Sequence, residues 1–90
     1  MSFVAVKVKI MPSSPDIDLE EIKSKITEKI EAEEGKINNI EEEPIAFGLK
    51  AVIVTLAWLE TKESSILEDS LSSIENVSSV QIIDYRRAFG

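Results

Sequence analysis

Glu41-Glu42-Glu43 sets three carboxylates side by side, and Pro44-Ile45-Ala46-Phe47-Gly48 follows with no charge in it. Adjacent carboxylates suggest a divalent-metal site or a guarded strand edge. Metal binding needs the oxygens to converge, whereas neighbouring residues of a strand point to opposite faces. A solvated edge strand needs only the charge itself. Phe47 stands beside a glycine that can take backbone angles other residues avoid. It is either folded back as a core staple or offered to a partner. The rest of the catalytic repertoire is thin. The chain has no histidine and no cysteine, which removes Ser/His/Asp and Cys/His sets, thiolate metal sites and disulfides. Its three glycines are isolated, so no glycine-rich phosphate loop is present.

Strands and helices must position these groups. Residues 3–10 alternate, with Val4, Val6, Val8 and Ile10 toward a core and Lys7 and Lys9 away from it. Met11-Pro12-Ser13-Ser14-Pro15 is expected to end that strand. Asp18 is placed to cap a helix, with Glu21 as its capping-box partner. Leu19, Ile22, Ile26 and Ile30 make one stripe, and the helix closes near Gly35. Residues 36–43 read as a weak edge strand whose two isoleucines, Ile37 and Ile40, have opposite parity.

Residues 49–59 form the most apolar segment and read as a central strand, with Val52, Val54, Leu56 and Trp58 facing the core. Ser64 or Thr61 is expected to cap a second helix striped by Leu67, Leu71 and Ile74, with Asn76 ending it in a left-handed turn. Residues 77–85 are the last strand, with Val80 and Ile82 inward and Ile83 and Tyr85 outward; Arg86 to Gly90 are read as a tail.

The order is that of a ferredoxin-like β-α-β-β-α-β fold: α+β, a four-stranded antiparallel sheet with two helices on one face. Strands one and three are expected at its centre, running parallel. The open face would carry Lys7, Lys9, Ala51, Ile53, Thr55, Ile83 and Tyr85. Ninety residues suit a single domain, residues 1–90, with one core and little internal space. The net charge of −7 disfavours direct nucleic-acid binding. No apolar run reaches the ~20 residues of a membrane span, and the alternating N-terminus does not read as a signal peptide. The expectation is a cytoplasmic protein.

Other activities of this fold lack their residues here. Met11–Pro15 offers no anion cradle of the acylphosphatase kind. The open-face positions of strands one and three lack the stacking aromatics of an RNA-recognition domain. No Cys-x-x-Cys exists for a metallochaperone. What remains is a binding module, not an enzyme, needing no cofactor and no metal.

Three stretches together carry a resemblance: Met11-Pro-Ser-Ser-Pro-Asp-Ile-Asp-Leu-Glu20, Glu41-Glu-Glu-Pro-Ile-Ala-Phe-Gly-Leu-Lys-Ala51 and Ser78-Ser-Val-Gln-Ile-Ile-Asp-Tyr-Arg-Arg87. They resemble the archaeal elongation factor 1-beta family, whose members promote exchange of GDP for GTP on the GTPase elongation factor 1-alpha so that it binds aminoacyl-tRNA again. The resemblance implies that Ala46-Phe47-Gly48 stands where eukaryotic relatives have a Gly-aromatic-Gly turn, with Phe47 a wedge in the GTPase. Those relatives use a penultimate lysine at the magnesium site. This chain ends in Phe89-Gly90, with Arg86 and Arg87 as its nearest cations. Ala46, Phe47, Gly48, Arg86, Arg87 and Phe89 are therefore the expected GTPase-binding residues, in a protein that is monomeric when free. Arg86 and Arg87 docking on acidic surface is the plainer reading of those two. The alternative class is a ferredoxin-like small-ligand regulatory or dimerisation module.

Overall fold

The computed structural model describes residues 2–87. The elements run β1 (Phe3–Pro12), α1 (Leu19–Ala32), β2 (Lys36–Pro44), a 3-10 turn (Ala46–Gly48), β3 (Lys50–Leu59), α2 (Ser64–Ser72) and β4 (Val77–Arg87). The strands form one sheet in the order β2-β3-β1-β4, antiparallel at every pairing. The ferredoxin-like α+β architecture is therefore present. The central strands β1 and β3 are antiparallel, not parallel as expected. The helical crossover α1 returns the chain to start β2 in the direction of β1. The β2–β3 hairpin then reverses it, so β3 must run against β1.

Both helices lie on one face. Ile22, Ile26 and Ile30 from α1 and Leu67, Leu71 and Ile74 from α2 join Val4, Val6, Val8, Ile10, Val52, Val54, Leu56 and Trp58 in one core cluster. Asp18 caps α1, accepting from the Glu20 amide at 3.0 Å, but Glu21 makes no return bond among the described residues. At the other end Glu34, with φ 67°, takes the left-handed position. The Glu34 amide donates to the Glu31 carbonyl at 3.0 Å and the Gly35 amide to the Ile30 carbonyl at 2.9 Å, a Schellman closure. Gly35 serves a different need: a Cβ there would lie 2.7 Å from Ile30 Cγ2 and 3.3 Å from the Trp58 ring.

Glu63 is the residue before α2 and makes no capping bond, so neither Ser64 nor Thr61 caps that helix. Asn76 does take a left-handed conformation, φ 71°, and its carbonyl accepts from the Ser13 amide at 2.8 Å.

Bulges resolve what simple alternation left open. β2 shifts register between Ile37 and Asn39, so Ile37 pairs with Leu56 and Ile40 with Val54, and both isoleucines pack on the core. β4 shifts between Ile82 and Asp84, which pair with Val8 and Lys7. From there Tyr85 pairs with Val6 and lies on the helix side of the sheet, not on the open face as expected. β1 continues through Met11 and Pro12 instead of stopping at Ile10, and Pro12 pairs with Val77 across a further shift. Arg86 and Arg87 belong to β4 and not to a tail.

The open face is also less open than the alternation implied. Ile53 is buried there, between Lys9 and Glu41, and Ala51 is buried beside Glu43. Long charged side chains on either side shelter a central apolar row.

Candidate functional site

Pro44 pairs with Lys50 as the last rung of the β2–β3 ladder, and the chain turns over within Ile45–Leu49. The Ile45 amide donates to the Leu49 carbonyl at 2.7 Å, and the Leu49 amide returns to the Ala46 carbonyl at 3.3 Å. Between them Phe47 (φ 62°, ψ 31°) and Gly48 (φ 77°) both adopt left-handed conformations. Gly48 does so freely, whereas for Phe47 the conformation costs about 1–2 kcal/mol. Its side chain is 94% exposed. The core-staple reading of Phe47 is thus overturned: the tip spends backbone strain and hides no aromatic. Strain of this kind persists only where surrounding structure enforces it, and here two backbone hydrogen bonds and the hairpin ladder do so.

Ala46 and Gly48 flank Phe47 and are exposed. Behind the tip, a groove of about 380 Å³ runs between Gly48 and Lys50 on one side and Pro12, Pro15, Ile17 and Leu19 on the other.

The three glutamates divide as strand geometry requires. Glu41 and Glu43 share the open face with Ile53 and Ala51, and Glu42 points to the helix side with Val52. Glu42 Oε2 accepts from Lys23 Nζ of α1 at 2.6 Å, and Lys50 Nζ lies 4.0 Å from the other oxygen. The Lys23 hydrogen bond holds the Glu42 carboxyl below its usual range, and the same bond raises Lys23. Neither the guarded edge nor the divalent-metal site suggested by the acidic run in sequence anticipates this pairing of Glu42 with α1. The only local hint was Lys23 flanking the α1 stripe.

Arg86 and Arg87 stand at the other end of the molecule. Arg86 pairs with Ala5 and contacts Asp84 at 3.1 Å; Arg87 pairs with Val4 and reaches Glu60 at 2.9 Å. Both side chains are mostly exposed. Val4 pairs in turn with Trp58, while the tip emerges from Lys50. That stretch of β3 spans roughly 26 Å at ~3.3 Å per residue. The structure therefore does not bring Phe47 and the arginines into one cluster. Phe89 lies outside the described residues.

Residues 5–87 match the EF-1 guanine nucleotide exchange domain. The chain belongs to that family. The exchange-domain chain is 43% identical over 88 residues to elongation factor 1-beta of Methanothermobacter thermautotrophicus, covering 97% of this chain and 98% of that one. It is 44% identical over 88 residues to the protein of the same name from Methanosarcina barkeri, covering 97% and 99%. Among solved structures it is similar to the ACT domain of a GTP pyrophosphokinase from Chlorobium tepidum, with TM-score 0.65, 18% identity and coverage of 92% and 100%. It is also similar to the C-terminal domain of MgtC from Mycobacterium tuberculosis, with TM-score 0.69, 11% identity and coverage of 96% and 88%. At such identities the two structures speak for the fold of this exchange domain and for nothing further. No helix of the exchange domain is long and apolar enough to cross a membrane among the described residues.

Proposed function

We infer that this protein promotes exchange of GDP for GTP on elongation factor 1-alpha during translation, acting in the cytoplasm as a monomer that pairs with the GTPase. Residues 1–90 act as one exchange domain. The family match and the names of the relatives support the role. The observation that carries the site is Phe47, 94% exposed in a left-handed conformation at the tip of a hairpin.

Exchange of this kind makes and breaks no covalent bond, so a chain without histidine or cysteine can carry it. GDP is held on such a GTPase by its phosphate loop and Mg²⁺. A partner that prefers the nucleotide-free form lowers nucleotide affinity by a coupling free energy, and bound nucleotide weakens the partner equally. Incoming GTP then expels the factor. Phe47 is the wedge, flanked by Ala46 and Gly48. Burying one phenylalanine contributes about 1.5–3 kcal/mol to such a complex. Arg86 and Arg87 approach the GTPase from the far end of β4, and Phe89 completes the contact set. The separation of the two ends means that they touch separate places on the partner.

The direct test is release of a fluorescent GDP analogue from an archaeal elongation factor 1-alpha. Acceleration that saturates with the concentration of this protein is expected. A folded, cognate GTPase that releases GDP no faster in its presence would overturn the reading.

A further inference from the structure

The β3 arm of the hairpin that carries Phe47 enters the core at Val52, whereas the outer end of its β2 arm is tied to the helix layer by charge. Ile37 and Ile40 are the only large apolar side chains of β2, and neither lies beyond its midpoint. Beyond them Glu41 and Glu43 turn to the open face, which leaves Glu42 as the one residue of that segment directed at the helices before Pro44. Its carboxylate meets Lys23, one turn into α1, at 2.6 Å, with the two side chains 32% and 20% exposed. Lys23 is itself steadied by Glu20 at 3.3 Å, and Lys50 adds a second cation near Glu42 at 4.0 Å. On the opposite flank, a Cβ on Gly48 would come within 3.9 Å of Pro15 Cβ, so the β1–α1 loop lies alongside the tip.

We propose that Glu42, gripped by Lys23, is a positioning residue for Phe47: the pair anchors the outer half of β2 to α1 and so sets the direction in which the tip offers its aromatic ring to the GTPase. The proposal rests on Phe47 being the residue that enters the GTPase. The two left-handed residues fix Phe47 relative to the tip, and the salt bridge fixes the tip relative to the body. A loop already held in its bound direction loses less freedom on association. Without the pair the outer end of β2 keeps its ladder to β3, but β3 itself pairs with β1 only as far as Val52. The rungs from Glu43 to Lys50 therefore form a two-stranded ribbon with only the β1–α1 loop beside it, and such ribbons are marginally ordered alone.

The experiment is the fluorescent-GDP release assay with Glu42→Gln, Lys23→Met, Lys23→Arg and Phe47→Ala, and with Glu42→Gln combined with Phe47→Ala. Glu42→Gln and Lys23→Met should each raise the half-saturating concentration of the factor about three- to tenfold and leave the maximal release rate within about twofold. Lys23→Arg, which keeps the charge and the reach, should restore wild-type behaviour. Glu42→Gln should add nothing once Phe47 is already alanine. A purely structural role would lower the melting temperature without that dependence on Phe47. An equal effect of Glu42→Gln in both backgrounds would assign Glu42 to an independent contact and overturn the proposal. So would the absence of any effect while Phe47→Ala still weakens exchange. If Phe47→Ala itself changes nothing, the wedge reading fails first and the positioning role fails with it.

Discussion

Lys62 folds back over Trp58. The indole Nε1 donates to the Lys62 carbonyl at 3.2 Å, and the Lys62 ammonium lies 5.3 Å from the centre of the same ring. That ammonium also bonds the Glu33 carbonyl at 2.6 Å and its carboxylate at 3.0 Å. The loop after β3 is thereby bound to the end of α1, with the fully buried tryptophan between them. Trp58→Phe should cost about 1–3 kcal/mol through the lost donor and the vacated volume. Urea denaturation followed by circular dichroism checks this, and a loss below ~0.5 kcal/mol would show that the bond to Lys62 contributes little.

Gly35 should be intolerant where Glu34 is improvable. Gly35→Ala forces a Cβ against Ile30 and Trp58, an overpacking that costs about 1–3 kcal/mol. Glu34→Gly relieves a left-handed non-glycine and should stabilise by about 0.5–1 kcal/mol. At this chain length that corresponds to a rise of roughly 2–8 °C in melting temperature.

Phe47 should show stability and exchange moving in opposite directions. Phe47→Gly removes an exposed side chain from a strained position and should stabilise the fold by up to about 1 kcal/mol. In the release assay the same variant should raise the half-saturating concentration about ten- to hundredfold, the value of one buried phenylalanine. Thermal melts and release kinetics on one preparation measure both.

The Lys23–Glu42 pair gives a pH dependence with a definite sign. The hydrogen bond from Lys23 depresses the Glu42 carboxyl below its ordinary value of 4.5, so its contribution is present above that value and is lost as pH falls through the folded value. Lys23 is raised above 10.5, so its share is present below that value and is lost as pH rises through the folded one. The difference in urea midpoint between wild type and Glu42→Gln should stay constant from roughly pH 6 to 9 and narrow as pH falls below 4.5 toward the folded value. A gap that did not narrow at all on acidification through the carboxylate range would mean that packing, not charge, makes the contact.

Arg86→Ala with Arg87→Ala should leave the fold almost untouched. Their partners Asp84 and Glu60 are surface groups, and exposed pairs of this kind contribute under about 1 kcal/mol. The double variant should lower the maximal rate of GDP release about fivefold or more. Phe47→Ala should act mainly on the half-saturating concentration. Identical kinetic signatures for the two variants would contradict separate contacts at the two ends.

Local chemistry was enough for much of this protein. The valines of β1 alternate, the isoleucines of α1 recur at helical spacing, Asp18 is built to cap, and Asn76 tolerates a left-handed turn; each follows from neighbours within a few residues. The absence of histidine and cysteine pointed to a binding role by elimination, whereas the role of Phe47 came from the resemblance carried by the motif around it. Tertiary structure decided the rest, because register is a relation between strands far apart in the chain. One extra residue at Asn38 brings Ile37 and Ile40 to the same face, and another at Ile83 moves Tyr85 to the helix side. The same pairings set Phe47 and the arginines at opposite ends of the sheet. Whether Phe47 is buried also could not be local: a large aromatic beside glycine packs wherever a cavity awaits it, and only the assembled core shows that its volume is already filled without it.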